Sequence, residues 1–172
     1  MIPSIDARLD SMARALQEAI LPSLGDEQSL AIEQARLVLG QIAIIRQQLD
    51  LAPAFERNEA EAMVALAREL LADGRGGAET TKAAQALQDA VSATVWDSPA
   101  AIRSVTGSVG RAIEALIVAA SVDGDAAFKD ASFDRVLTAG RRAALLERSW
   151  NRASGFETAD ANIPEIAGLL TP

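Results

Sequence analysis

Apolar residues recur at helical spacing along almost the whole chain, and no stretch shows the alternation of a half-buried strand. Ser4 stands as N-cap of a first helix with Ile5, Leu9, Met12, Leu16 and Ile20 on one side, closed by Pro22 and Gly25. Asp26 is the expected cap of a second helix, about 27–51, which carries two apolar stripes. Ala31, Ala35, Val38, Ile42, Ile45 and Leu49 form one; Leu30, Leu37, Ile44 and Leu51, seven residues apart, form the other. A helix apolar on two sides is central in a bundle or sits in an interface. Pro53 starts a third helix with Met63, Leu66 and Leu70 inward, ending at Asp73-Gly74-Arg75-Gly76-Gly77. A fourth carries Ala84, Leu87, Val91 and Val95 and stops near Trp96. Ser98-Pro99 opens a fifth, with Ile102, Val105, Val109, Ala112, Leu116 and Ala120, which Asp123-Gly124-Asp125 ends. A sixth, about 132–152, presents Phe133, Val136, Leu137, Ala144 and Leu145 as its apolar positions and stops at Ser154-Gly155. The tail, 154–172, reads as loop with one short turn begun by Pro164. The pattern predicts a single all-α domain over 1–172, a helical bundle of about six helices with a short C-terminal tail.

Composition narrows the chemistry. Apolar residues are 49% and charged residues 23% of the 172, an ordinary globular balance, but aromatics are only 3%. The core must therefore be aliphatic and rich in alanine. The chain has no cysteine, which points to a reducing compartment. The first ten residues carry Asp6, Arg8 and Asp10 and no apolar signal run, and the apolar run 112–122 is short for a membrane span. A cytoplasmic protein without a membrane span is expected. The net charge of −8 argues against nucleic acid as a partner. That charge is uneven: 1–98 carries −7 and 99–172 carries −1, with five arginines against Glu147 alone over 135–152.

With no histidine and no cysteine, the usual zinc sites, Glu-x-x-His di-iron sites and His-assisted nucleophiles cannot be built. The chain also lacks tyrosine, so acid–base chemistry falls to carboxylates, Lys82 and Lys129. Glu56 and Glu59 form an E-x-x-E pair of the kind that all-α nucleotide pyrophosphohydrolases use for magnesium. The facing pair on a second helix is missing, because Glu69 and Asp73 are four apart and on the same helix. Acids near a helix start, with Glu61 beside them, are better explained by the helix dipole. Asp123-Gly124-Asp125 lacks the calcium-loop order, and Gly74-Arg75-Gly76-Gly77 lacks the Gly-Lys-Ser/Thr of a phosphate loop. No catalytic residue, metal site or cofactor is expected.

Gly40, Gly107, Gly110 and Gly140 fall inside helical stretches, where each costs about 1 kcal/mol relative to alanine. Close helix packing or a tolerated kink is the expected reason. The alternative is room for a ligand beside the fifth helix, near Ser104, Gly107, Ser108 and Ala112, with Arg111, Arg141, Arg148 and Arg152 as candidate anion contacts.

The run Gln34-Ala35-Arg36-Leu37-Val38-Leu39-Gly40-Gln41-Ile42-Ala43-Ile44-Ile45-Arg46-Gln47-Gln48-Leu49, followed by Ala52-Pro53, resembles a small all-helical bacterial family of uncharacterised activity. The resemblance spans about 10–72. Gly40 stands where the family pattern has asparagine, and Gln48 where its Glu-Leu begins. Members are often encoded beside phosphotransferase-type kinases and acyl-CoA dehydrogenases, so the resemblance implies a neighbourhood in acyl-CoA metabolism and no catalytic residue.

The leading expectation is a non-enzymatic accessory or interaction protein that forms a homo-oligomer or docks a partner enzyme. Leu30, Leu37, Ile44 and Leu51 are its candidate interface. A bundle holding an amphipathic or acyl-type small molecule is the alternative, and a carboxylate–magnesium enzyme is third.

Overall fold

The computed structural model describes residues 2–152 and 162–170. All their regular elements are helical, and the protein is all-α. Helix α1 (Ile5–Arg14) runs on through a π-helical segment (Ala15–Ile20) into Leu21–Ser23. A 3-10 turn (Asp26–Gln28) leads into α2 (Ser29–Gln48). Then come α3 (Ala52–Asp73), α4 (Ala78–Ser92), α5 (Pro99–Asp123), α6 (Ala126–Trp150) and the single turn α7 (Ile166–Leu169). The expected terminator Ser154-Gly155 lies outside the described residues.

The local signals explain the starts. Ser4 Oγ accepts the Ala7 amide at 3.1 Å, and Ser98 Oγ accepts that of Ala101 at 3.2 Å. Asp26 does not cap α2 as expected; it lies inside the 3-10 turn, where the Gln28 side chain turns back to accept the Gly25 amide at 3.1 Å. The short turn absorbs the residues that a direct cap would have used.

The chain divides into two compact units, Met1–Ala52 with Glu147–Leu169, and Pro53–Leu146 with Leu170–Pro172. The larger unit holds the main core. Ala60, Val64, Ala67 and Leu70 of α3, Leu87 and Val91 of α4, and Ile102, Val105, Val109, Ile113, Leu116 and Ala120 of α5 are buried together with Phe128 of α6. Alanine at 60, 67 and 120 lets the helices approach closely, which offsets the shortage of aromatics. By length and composition α5 as a whole is apolar enough to cross a membrane, and its apolar stripe is the central line of this core.

Two loops of the larger unit close on each other. The Gly77 amide donates to the Asp123 carbonyl at 2.8 Å, and the Asp125 amide to that of Arg75 at 3.1 Å, so Gly76 and Gly124 meet as an isolated bridge. A Cβ on Gly76 would stand 2.7 Å from Gly124 Cα, and one on Gly124 would stand 2.6 Å from the Ala120 carbonyl. Neither leaves room for a side chain.

The smaller unit is an antiparallel hairpin of α1 and α2 with Glu147–Leu169. Its direction is set by Arg46, which donates to Asp6 Oδ1 at 2.8 Å and to Asp10 Oδ1 at 3.0 Å. Those bonds, with Asp6 foremost, raise the Arg46 pKa above its ordinary value.

Two expectations about packing are overturned. First, α6 starts at 126 rather than 132, and its inward line is Phe128, Ser132 and Leu146. Phe133 is 68% exposed, and Val136, Leu137, Ala144 and Leu145 are exposed with it. The extra turn brings Phe128 into the core. Four and seven residues on, the 3.6-residue period brings Ser132 and Arg135 to the same line, where Arg135 pairs with Asp73 and donates to the Glu69 carbonyl. Second, the helical glycines do not mark close packing. Nothing lies within 4 Å of a Cβ built on Gly40 or Gly140, Gly107 faces only the mobile end of Arg111, and Gly110 meets Met63 at an ordinary 3.9 Å.

Candidate functional site

The carboxylates first. Glu56, half of the E-x-x-E pair, accepts two bonds from Arg103 at 3.0 and 3.1 Å, and Glu61 pairs with Arg57 at 3.5 Å. Asp73, from the would-be second pair, is held by Arg135. Among the described residues, no three His, Cys, Asp or Glu side chains converge as metal ligands do.

Asp123 has a different task. Its Oδ1 accepts the Thr80 hydroxyl at 2.6 Å and the Thr80 amide at 3.0 Å, and its Oδ2 accepts the Glu79 amide at 2.9 Å. It thus caps the start of α4 from across the chain, where the local cap residue, Gly77, has no side chain. The Thr80 hydroxyl, followed by the Glu79 amide, holds the Asp123 pKa below the usual carboxylate range. The acid ends α5 in sequence and starts α4 in space, a role that no local pattern reveals.

The four candidate anion contacts are divided between the two units. Arg111 and Arg141 are exposed on the larger unit, while Arg148 and Arg152 belong to the smaller. Arg152 is paired with Glu165. Together they line a half-open cavity of about 290 Å³ with Gln47, Gln48, Leu51, Ser149, Trp150 and Ile166. The Gln48 side chain donates to the Trp150 carbonyl at 3.0 Å. Ser149 Oγ is buried and, among the described residues, has no hydrogen-bond partner. The Arg152 charge is neutralised by Glu165, so the cavity offers polar hydrogen bonds more than a bare anion site.

The candidate interface divides along its length. Ile44 and Leu51 are half-buried, Leu51 at the cavity, whereas Leu30 is 69% and Leu37 55% exposed. Val38 and Ile45, read as part of the first stripe, are exposed as well, leaving Ala35 and Ile42 as the buried residues of α2. The hundred-degree step per residue accounts for this. Ala35, Ile42 and Arg46 form the line against α1, and Val38 and Ile45 lie a quarter-turn away, toward Leu30 and Leu37. The result is one broad uncovered face: Leu30, Ala31, Gln34, Leu37, Val38, Gln41 and Ile45, without a charge. Ile5 and Met12 of α1 are exposed as well.

No family model, curated protein or solved structure matches the chain.

Proposed function

We propose that this chain is a non-enzymatic helical interaction protein that self-associates through the uncovered face of α2. One observation carries the reading: four large aliphatic side chains, Leu30, Leu37, Val38 and Ile45, stand exposed on one uncharged helix face. Apolar patches of a few hundred Å² on a soluble chain mark interaction sites. The chemistry supports the reading from the other side, since the acids best placed for catalysis, Glu56 and Asp73, are paired with arginines. The absence of cysteine favours a cytoplasmic setting, and the acyl-CoA neighbourhood implied by the family resemblance makes an enzyme of that metabolism the alternative partner.

Sedimentation velocity at micromolar concentration tests it. The wild-type chain is expected at twice its chain mass, and Leu37→Glu, which places a charge at the middle of the face, at the single mass. A wild-type monomer removes the reading. Weight then moves to a second one, a small polar ligand in the cavity beside Ser149, favoured by that buried, unpartnered hydroxyl.

A further inference from the structure

The face of α2 has an internal symmetry. Leu30 and Ile45, Gln34 and Gln41, and Leu37 and Val38 are each equidistant from the midpoint between 37 and 38, and Ala31 has the half-buried Ile44 as its counterpart at the edge. Read in reverse, the face repeats itself: apolar positions fall on apolar ones and amide on amide. From this we infer that the occupant of the face is a second copy of the chain, with α2 packed antiparallel on α2 about a two-fold axis at Leu37–Val38. The inference rests on the self-association just proposed and specifies its geometry.

A two-fold contact must be self-complementary, because the same patch serves both partners. Here Leu30 meets Ile45 of the second copy at each end, and Leu37 meets Val38 at the centre. Between them, the Gln34 amide nitrogen donates to the Gln41 side-chain oxygen of the second copy, and the Gln34 side-chain oxygen accepts from the Gln41 amide nitrogen in return. Two pairs of neutral hydrogen bonds thereby satisfy the only polar side chains that the contact covers.

Charge permits this arrangement. Within α2 the acid flanking the face is Glu33, and the antiparallel register holds it about 13 Å along the axis from its symmetry mate. That exceeds the ~8 Å screening length at physiological salt. A parallel pairing would set Gln34 and Gln41 each beside its own copy. Gly40, on the same flank with open space before it, leaves room for the partner's side chains. Leu30, Gln34, Leu37, Val38, Gln41 and Ile45 are all exposed, so the contact draws on side chains that the chain itself leaves uncovered.

The absence of native cysteine makes the test clean. In the proposed dimer, residue 37 stands near its own symmetry mate, within reach of a disulfide at interaxial distances of about 8–10 Å. Residue 30 is about 22 Å from its mate along the axis. The single variants Leu37→Cys, Val38→Cys and Leu30→Cys are made in the full chain, oxidised at micromolar concentration and run without reductant. Mass by sedimentation is measured in parallel under reducing conditions. The expected result is a cross-linked dimer for Leu37→Cys or Val38→Cys and none for Leu30→Cys. The mixture of Leu30→Cys with Ile45→Cys should cross-link again. Cross-linking of Leu30→Cys to itself means parallel helices and overturns the inference. A reduced dimer in which neither 37 nor 38 cross-links also overturns it, by placing the contact on another face, such as that of Phe133, while leaving self-association in place. A wild-type monomer overturns both.

Discussion

The two units are built from the same material, long alanine- and leucine-rich helices, yet they bury it to very different degrees. In the larger unit α3, α4 and α5 surround a continuous core in which Ala60, Ala67, Leu70, Leu87, Val109 and Leu116 are wholly inaccessible. In the smaller, the described residues bury only Ala35, Ile42, Ser149 and Ile163. Helix propensity is similar in both, so the difference lies in tertiary cover. The larger unit also has a polar latch, in which Asp123 fixes the start of α4 and the Gly76–Gly124 contact locks two loops. The corresponding polar link in the hairpin, Arg46 with Asp6 and Asp10, sits in solvent, where such pairs contribute about 0–1 kcal/mol. The comparison indicates that the larger unit carries the stability and that the hairpin is left with surface to offer a partner.

The largest expected effect tests that contrast directly. Leu116→Ala, in the larger core, is expected to cost about 2–5 kcal/mol, the range for emptying a fully packed leucine site. Ile42→Ala, in the hairpin, is expected to cost clearly less, because a site with few neighbours relaxes around the loss. Urea unfolding followed by circular dichroism reads both. Equal costs would mean that the hairpin is packed as tightly as the core and would erase the comparison.

The next effect separates the latch from the core. Asp123→Ala removes three hydrogen bonds at the start of α4 and is expected to lower Tm by about 3–8 °C at neutral pH. The sign with pH follows from the depressed folded-state pKa. The contribution of the ionised group is complete above the ordinary carboxylate value of 3.8. It is lost as pH falls from there through the lower folded-state value. The Tm gap between wild type and Asp123→Ala should therefore be constant from neutral pH to about one unit above that ordinary value and narrow below it. A gap that stays the same in acid would assign the effect to packing at Thr80 rather than to the carboxylate.

How far these features were legible depends on the range of the interaction behind them. Helix existence, the caps Ser4 and Ser98, the start at Pro53 and the loop from Asp73 to Gly77 all follow from neighbours within four residues, and the structure has them as expected. The core line of α5 was legible for the same reason, whereas on α3 the buried line is Ala60, Val64, Ala67 and Leu70 with the expected Met63 and Leu66 half-buried, and α4 ends at Ser92, which leaves Val95 51% exposed. Helices with two stripes were not legible in this way. On α6, Phe128 and Phe133 are equally apolar, and only the extra N-terminal turn and the Arg135–Asp73 pair select Phe128 for the interior. On α2, Val38 and Ile45 share a periodic line with Ala35 and Ile42, and α1, held by Arg46, covers just part of that line. The Asp123 cap joins residues more than forty apart, beyond any local pattern. For the candidate site, Leu30 and Leu37 were legible as an apolar stripe, whereas its width, through Val38 and Ile45, required the fold.

The smallest effect turns on glycine. Gly107 in the larger unit and Gly40 in the hairpin both lie inside helices, and neither faces a crowded neighbour. Each gives up about 1 kcal/mol of helix propensity relative to alanine, with no contact inside the chain that requires its smallness. Gly107→Ala is expected to stabilise by about 0.5–1 kcal/mol, since its new methyl meets only the Arg111 guanidinium at 3.5 Å, which can swing aside. Gly40→Ala has the same intrinsic gain, but Gly40 flanks the face proposed to receive the second copy. If that copy uses the space, the substitution stabilises the monomer and weakens the dimer, so the two readouts move in opposite directions. Urea unfolding at low protein concentration gives the first, and sedimentation equilibrium the second. For Gly107→Ala the dimer constant should not move. If Gly40→Ala leaves it unmoved too, the partner helix does not reach this flank, and the contact is confined to the strip from Leu30 to Ile45.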